Sequence, residues 1–458
     1  MENPPDELIH AISHPSPDTT SPNPSFAVKT SNICAKFVTV RGERKEAVIL
    51  SLERPAIIGR DPTACVRSPS GGVIVSCQDV SRNGLYLNGQ HIRKASIIIM
   101  DGDVLRLPNS LEFTCIHLWK EPSNKMTIFD PTPPTHPAHK RIGSYIVTSQ
   151  CLGSGSFATV HLALDPAKRR QVACKSIRTK REHEVGQVMK EVRILMTIRH
   201  PNINEIYDTE VNKNFIHIFL QLCTGGDLFT YITSHPSSKH FLCEAEAKYI
   251  MFQLLQGLDY LHSNMISHRD LKPENILLHC PGPYPRILIA DFGLARPNAH
   301  QETLNVCGTV SYLPPEGVLA LDVKHLGYVG MPADCWSAGV ILFIMLSGSH
   351  PFDYGPVCSS DWISHIEESR GASCTQPSQR YLNTEARLKA RIINGKVDFQ
   401  PIWKHMQDAR ELVESLLIYE SQLRATVRSA LQSSWIVSEL EELELLYERR
   451  IRSKLENA

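Results

Sequence analysis

One short run, His268-Arg269-Asp270-Leu271-Lys272-Pro273-Glu274-Asn275, sets a carboxylate, an ammonium and a carboxamide a few residues apart. Sixteen residues past Asn275, Asp291-Phe292-Gly293 adds a second carboxylate. That set suits phosphoryl transfer to a hydroxyl. Asp270 can accept the proton of the attacking hydroxyl, and Lys272 can steady the moving phosphoryl group. Asn275 and Asp291 can hold Mg²⁺ against the phosphates of ATP. The chemistry needs positioning and charge neutralisation more than covalent participation by the protein, so the residue types and their order carry the signal.

Upstream lies Leu152-Gly153-Ser154-Gly155-Ser156-Phe157-Ala158-Thr159-Val160. Glycines at 153 and 155 let backbone amides approach phosphates, and Ala158 stands where a third glycine is usual. Val172-Ala173-Cys174-Lys175, whose lysine lies fifteen residues past Val160, reads as a buried strand ending in a cation. Glu191, within the helical stretch 188–198, can pair with Lys175 and so position the α- and β-phosphates.

These residues need a β-rich region, running to about Phe219, followed by a helical one that includes Glu244–Ser263 and Ala409–Ile418. Residues 142–436 resemble a eukaryotic protein kinase domain. Cys307-Gly308-Thr309, Tyr312-Leu313-Pro314-Pro315-Glu316 and Asp334-Cys335-Trp336-Ser337-Ala338-Gly339 continue the likeness, and Arg424 stands where the family pairs an arginine with Glu316. The resemblance implies a bilobal α+β fold. It also implies an ATP site made by Leu152, Gly153, Gly155, Val160, Ala173 and Lys175, with Leu220 as gatekeeper and a hinge at Gln221, Leu222 and Cys223.

Lys272 points to serine/threonine specificity. Gly225-Gly226-Asp227-Leu228-Phe229 resembles the calcium/calmodulin-dependent group, in which Asp227 would lie near ribose and substrate. Asp227 and Glu274 are expected to form an acidic patch favouring protein substrates with arginine before the phosphoacceptor. Arg269 reads as a buried cation awaiting a phosphate on the loop between Gly293 and Pro315, with Thr303 and Thr309 as acceptors.

The remaining chain reads as a multidomain protein. Residues 1–30 are proline-punctuated and expected to be disordered. Residues 31–119 carry short β-like runs and turn signals such as Asn88-Gly89, which suggest a β-sandwich. Gly59-Arg60 and Ser81-Arg82-Asn83-Gly84 resemble the forkhead-associated (FHA) domain, implying that Arg60 meets the phosphate of phosphothreonine and Asn83 the peptide backbone. The family's Ser-x-x-His segment has no counterpart between Arg60 and Asn83, and the interval is expected to lack a strand pair. Residues 120–141 read as a stiff proline-rich linker, 359–387 as a surface insertion, and 437–458 as a helical tail with Leu440, Leu443 and Leu446 on one side.

An FHA-like domain joined to such a kinase resembles the effector checkpoint kinases of the DNA-damage response, in their fungal type, and this implies a nuclear setting. No Ser-Gln or Thr-Gln pair occurs in 1–30; Ser-Pro pairs occur at 16–17 and 21–22. Alternatives are a phosphoprotein-binding scaffold with a silent kinase fold, and a calcium-group kinase outside the checkpoint. Composition bounds the rest. The 48 basic and 48 acidic residues balance, which argues against nucleic-acid or membrane-surface binding. The 13 cysteines include no Cys-x-x-Cys pair and suggest reduced thiols. The apolar run Ala338–Leu346 reads as a buried core helix.

Overall fold

The computed structural model describes residues 33–41, 44–51, 56–58, 61–67, 73–79, 84–92, 96–100, 102–107, 112–118, 140–154, 158–168, 170–179, 182–212, 215–233, 241–292, 296–297, 301–303, 308–323, 325–353 and 379–452. The chain divides into two compact units, 1–149 with 163–172, and 150–162 with 173–458. The expected N-terminal tail and nearly all of the proline-rich linker lie outside the described residues, as do Arg60, Asn83 and Gly155.

In the first unit, β1 (Ile33–Arg41), β2 (Arg44–Ser51), β3 (Ala56–Ile58), β4 (Asp61–Arg67), β5 (Val73–Gln78), β6 (Leu85–Leu87), β7 (Gln90–Ile92), β8 (Ser96–Ile99), β9 (Val104–Arg106) and β10 (Glu112–His117) form two sheets, ordered β2-β1-β10-β9-β6-β7 and β3-β4-β5-β8. Period-two alternation sends Ala35 and Phe37 inward, and both sheets feed one core of Phe37, Leu50, Val75, Leu85, Ile97 and Leu105. Asn88 and Gly89 take φ of 49° and 81°, the left-handed pair that a two-residue β6–β7 hairpin requires. The expectation that a strand pair is missing before Asn83 is overturned: β4 and β5 pair antiparallel from Thr63–Cys77 to Arg67–Val73. Pro62 and the absence of clean alternation hide β4 in the sequence. Within this unit the Gln171 amide accepts from the Ile98 N–H at 2.6 Å and donates to the Ile98 carbonyl at 2.9 Å. It closes β8, the end strand of its sheet.

A further sheet comprises β11 (Lys140–Ile142), β12 (Tyr145–Ser154), β13 (Ala158–Asp165), β14 (Arg170–Arg178), β15 (Ile206–Asn212) and β16 (Phe215–Gln221), ordered β11-β12-β13-β14-β16-β15. The second unit also holds α1 (Glu182–Leu195), α2 (Leu228–Thr233), α3 (Glu244–Ser263), β17 (Ile266–Ser267), β18 (Ile276–Leu278), β19 (Ile287–Ile289), α4 (Pro315–Asp322) and α5 (Gly330–Ser347). It ends with α6 (Gln379–Asn394), α7 (Gln407–Leu416), α8 (Val427–Leu431), α9 (Ser434–Val437) and α10 (Leu440–Tyr447).

Helix α5 is long and apolar enough to cross a membrane, yet 83% of that stretch is buried inside the protein. Its apolar side chains join those of α3 in one large core, and Trp336 stacks on Phe352 with ring centroids 5.4 Å apart. Removing such surface from water is the main stabilising term. Helix α10 lays Leu443 and Tyr447 on this core, with Leu440 and Leu446 partly buried against it.

His350, just beyond α5, is enclosed. Its Nε2–H donates to the Ser311 carbonyl at 2.8 Å and its Nδ1 accepts from the Phe352 N–H at 3.3 Å. Burial holds its pKa down at about 4, against the ordinary 6.5. Between those values the unfolded chain takes up a proton that the folded one refuses. Stability is therefore unaffected by this group above pH 6.5 and falls as pH drops towards 4, by roughly 3 kcal/mol. Thermal unfolding from pH 7.5 to 4 should show a steeper loss in the native protein than in His350→Asn. Parallel curves would contradict the assignment.

Candidate active site

The loop that carries Asp270 is held from beneath by one buried carboxylate. Asp334, in the first turns of α5 and 1% exposed, accepts the His268 and Arg269 N–H groups, each at 2.8 Å. His262, near the end of α3, adds a third contact at 3.0 Å. With these bonds made, Arg269 adopts φ of 70°, a conformation that needs such over-determination. The His268 ring bonds the Ala290 carbonyl at 2.9 Å and packs edge-on to Phe292, tying the Asp270 loop to the Asp291 segment.

Above this base the polar side chains converge. Asn275 donates through Nδ2 to the Asp270 carbonyl at 2.7 Å and to Asp270 Oδ2 at 3.1 Å. Lys272 Nζ lies 3.4 Å from Asp270 Oδ2 and donates to Thr309 Oγ1 at 2.7 Å. Thr309 in turn donates to Asp270 Oδ1 from both its hydroxyl and its N–H, each at 3.0 Å. Gly308 allows this approach, because a Cβ there would stand 2.6 Å from the Arg269 carbonyl oxygen, at φ of 107°.

Lys175, on β14, forms an ion pair with Asp291 at 2.5 Å. The sequence predicts Glu191 as its partner. Glu191 lies on α1, and its side chain is outside the described residues. Asp291 has φ of 61° and a half-exposed carboxylate. That carboxylate and the Asn275 amide oxygen are hard donors that fit a magnesium ion, which favours oxygen and keeps waters in its shell. When bound, such an ion neutralises phosphate charge.

The expected nucleotide residues fall into two groups. Leu152, Gly153, Val160 and Ala173 are half-buried on β12, β13 and β14. At the hinge, the Gln221 N–H is already given to the Glu205 carbonyl at 2.9 Å, so any part Gln221 plays falls to its carbonyl. Desolvation pushes the Cys223 thiol up to about 12, against an opposing pull from Arg286, and keeps it neutral.

Three expectations are corrected. Asp227 is 1% exposed and caps α2, accepting from the Thr230 N–H at 2.7 Å and the Thr230 hydroxyl at 3.1 Å. It is not part of an exposed acidic patch, and Glu274 alone remains for that role. Thr303 is 6% exposed and paired with Tyr328 in a short strand, so its hydroxyl is not offered for phosphorylation, and Thr309 is engaged with Asp270 and Lys272. Arg269 already has partners: its Nε donates to the Tyr328 hydroxyl at 3.1 Å and its guanidinium lies over that ring. The pairing of Arg424 with Glu316 is present, bidentate at 2.8 and 3.0 Å.

The sequence pattern around Asp334 assigns it no task, and nothing in the sequence marks Tyr328. The signal available for Asp334 was its place at the head of the most apolar helix, where a carboxylate needs buried partners.

A β-rich sheet carrying Lys175, a loop with Asp270, Lys272 and Asn275, and Asp291 gathered beside them define a phosphotransferase of the kinase type. The description "protein kinase domain" matches residues 146–436, and the chain belongs to this family. The meiosis-specific serine/threonine-protein kinase mek1 of Schizosaccharomyces pombe is 31% identical over 401 residues, covering 84% of this chain and 78% of the relative. MEK1 of Saccharomyces cerevisiae, also named a meiosis-specific serine/threonine-protein kinase, is 31% identical over 405 residues, 82% of this chain and 75% of its own. The calcium/calmodulin-dependent protein kinase type 1 of Caenorhabditis briggsae is 31% identical over 293 residues, 62% of this chain and 70% of its own. The protein is a serine/threonine protein kinase.

Thr309 offers a test of the site's geometry. Thr309→Val removes the hydroxyl that links Asp270 and Lys272, and should lower kcat about tenfold, the size of one lost hydrogen bond. KM for ATP should hold, and Thr309→Ser should keep most of the rate. An unchanged kcat in the valine variant would show that the bridge has no part in turnover.

Proposed function

We propose that this kinase transfers the γ-phosphoryl group of ATP to serine or threonine in segments with arginine before the acceptor, within checkpoint-type signalling in the nucleus. The observation that carries the chemical part is the convergence of Lys175, Asp291, Asp270, Asn275 and Lys272 in one unit. Asp270 takes the proton of the incoming hydroxyl. Lys272, which bonds Thr309 beside Asp270, neutralises charge on the transferring group. Lys175 grips the α- and β-phosphates, Asn275 and Asp291 supply the oxygen donors for Mg²⁺, and Glu191 aligns Lys175. Leu152, Gly153, Gly155, Val160 and Ala173 enclose the nucleotide, and the Gln221–Cys223 segment meets adenine.

The substrate preference rests on Glu274, half-buried next to Asn275, and on likeness to the calcium/calmodulin-dependent group. The N-terminal sheets support an FHA-like module reading phosphothreonine through Arg60 and Asn83. A meiotic setting is a second reading, favoured by the names of two relatives that align with most of this chain.

A degenerate peptide array with labelled ATP tests the preference. Arginine shortly before the acceptor should raise kcat/KM at least about tenfold, and Glu274→Gln should remove most of that gain. An array without basic selection would end the substrate reading while leaving the kinase activity untouched. For the N-terminal module, a phosphothreonine peptide should bind the native chain and be lost in Arg60→Ala; equal binding by both would leave the module without that role.

A further inference from the structure

The C-terminal helix reaches the core at a point that bears on Asp291. Tyr447, the last residue of α10, is 5% exposed and donates its hydroxyl to Asn202 Oδ1 at 2.6 Å, across 245 residues of sequence. Asn202, in the segment that joins α1 to β15 along the chain, is fully buried. Its Nδ2 donates to Gln253 Oε1 at 3.1 Å and to the Ile287 carbonyl at 3.0 Å. Its own carbonyl accepts the Ile289 N–H at 2.8 Å, and the Asn204 N–H donates back to the Ile289 carbonyl at 2.9 Å. Gln253, on α3, accepts the Ile287 N–H at 3.0 Å. Ile289 ends β19, two residues before Asp291, and the next residue, Ala290, is bonded to Asn275 and His268.

A carboxamide has two donor hydrogens and an acceptor oxygen. At Asn202 both hydrogens are directed at Gln253 and Ile287, and the oxygen meets the Tyr447 hydroxyl. In a dry core these bonds fix the amide's orientation, and a partly satisfied network would not. The tail is itself secured on both sides of Tyr447. Lys248 bonds Glu439 at 2.6 Å, and Arg450 donates to the Pro283 and Tyr284 carbonyls at 2.9 and 2.8 Å. The Tyr447 ring stands edge-on to Phe252 at 5.9 Å.

We infer that Tyr447 is a positioning residue for phosphoryl transfer: its hydroxyl locks Asn202, and Asn202 sets the strand that delivers Asp291. The inference rests on the role of Asp291 given above. A tail displaced by a partner or shortened by proteolysis would thereby retune the active site without touching it.

The test uses the full chain and Tyr447→Phe, which keeps the ring and removes one hydroxyl. Amide hydrogen exchange should accelerate about tenfold in the segment holding Ile287 and Ile289, the size of one lost hydrogen bond, while the 338–346 segment of α5 keeps its native rate. The same variant should lose several-fold in kcat/KM for ATP and need more Mg²⁺ for half-maximal rate. Equal acceleration in both segments would reveal only global destabilisation and overturn the inference. No acceleration at 287–289, or local acceleration with unchanged kinetics, would overturn it too. Should the native chain transfer no phosphate, the kinase reading fails, and the exchange data still report whether Tyr447 governs the strand.

Discussion

A single buried carboxylate underlies the site. Asp334 is sealed at the head of α5, where water cannot solvate it, and its charge is met by two backbone N–H groups and one imidazole. An ion so enclosed needs partners in fixed places, because leaving any of them unmade costs more in the interior than at the surface. The two N–H groups belong to the loop that presents Asp270, and the imidazole to the end of α3 that leads into it. A buried apolar helix thus dictates where the base stands, and the strained backbone at Arg269 is tolerated because these bonds hold it.

From that anchor the site spreads outward by short bonds. Asn275 and Thr309 each clasp Asp270, Lys272 bridges to Thr309, and the His268–Ala290 contact carries the alignment to Asp291. Asp291 then meets Lys175 across 116 residues of sequence. Bidentate pairing of Arg424 with Glu316 secures the segment that follows Thr309, with the guanidinium also lying over Trp336 of α5. Phosphoryl transfer asks for this preorganisation, since the gain comes from groups already in place when charge develops.

Much of this could be read in the sequence because the chemistry restricts which residue types will serve. Only a carboxylate can do the work of Asp270, and only oxygen donors suit the places of Asn275 and Asp291. The large apolar run of α5 was equally plain. What escaped were tasks defined by distant partners. Asp227 reads as surface charge in the sequence, but the helix that starts at the next residue claims its carboxylate with two bonds from Thr230. Thr303 has a hydroxyl and sits in a loop by pattern, yet a two-residue strand buries it. Strand β4 was hidden by Pro62 and by its short, mixed composition, and the Tyr447–Asn202 bond joins residues that no local rule connects.

The central claim is that Asp270 is the proton acceptor of a phosphotransfer site. Transfer of labelled γ-phosphate from ATP to a serine or threonine peptide, compared between the native chain and Asp270→Asn, tests it most directly. The carboxamide keeps the shape and cannot take the proton, so the rate should fall at least about 100-fold with little change in ATP affinity. A variant that transfers phosphate at the native rate would contradict the account.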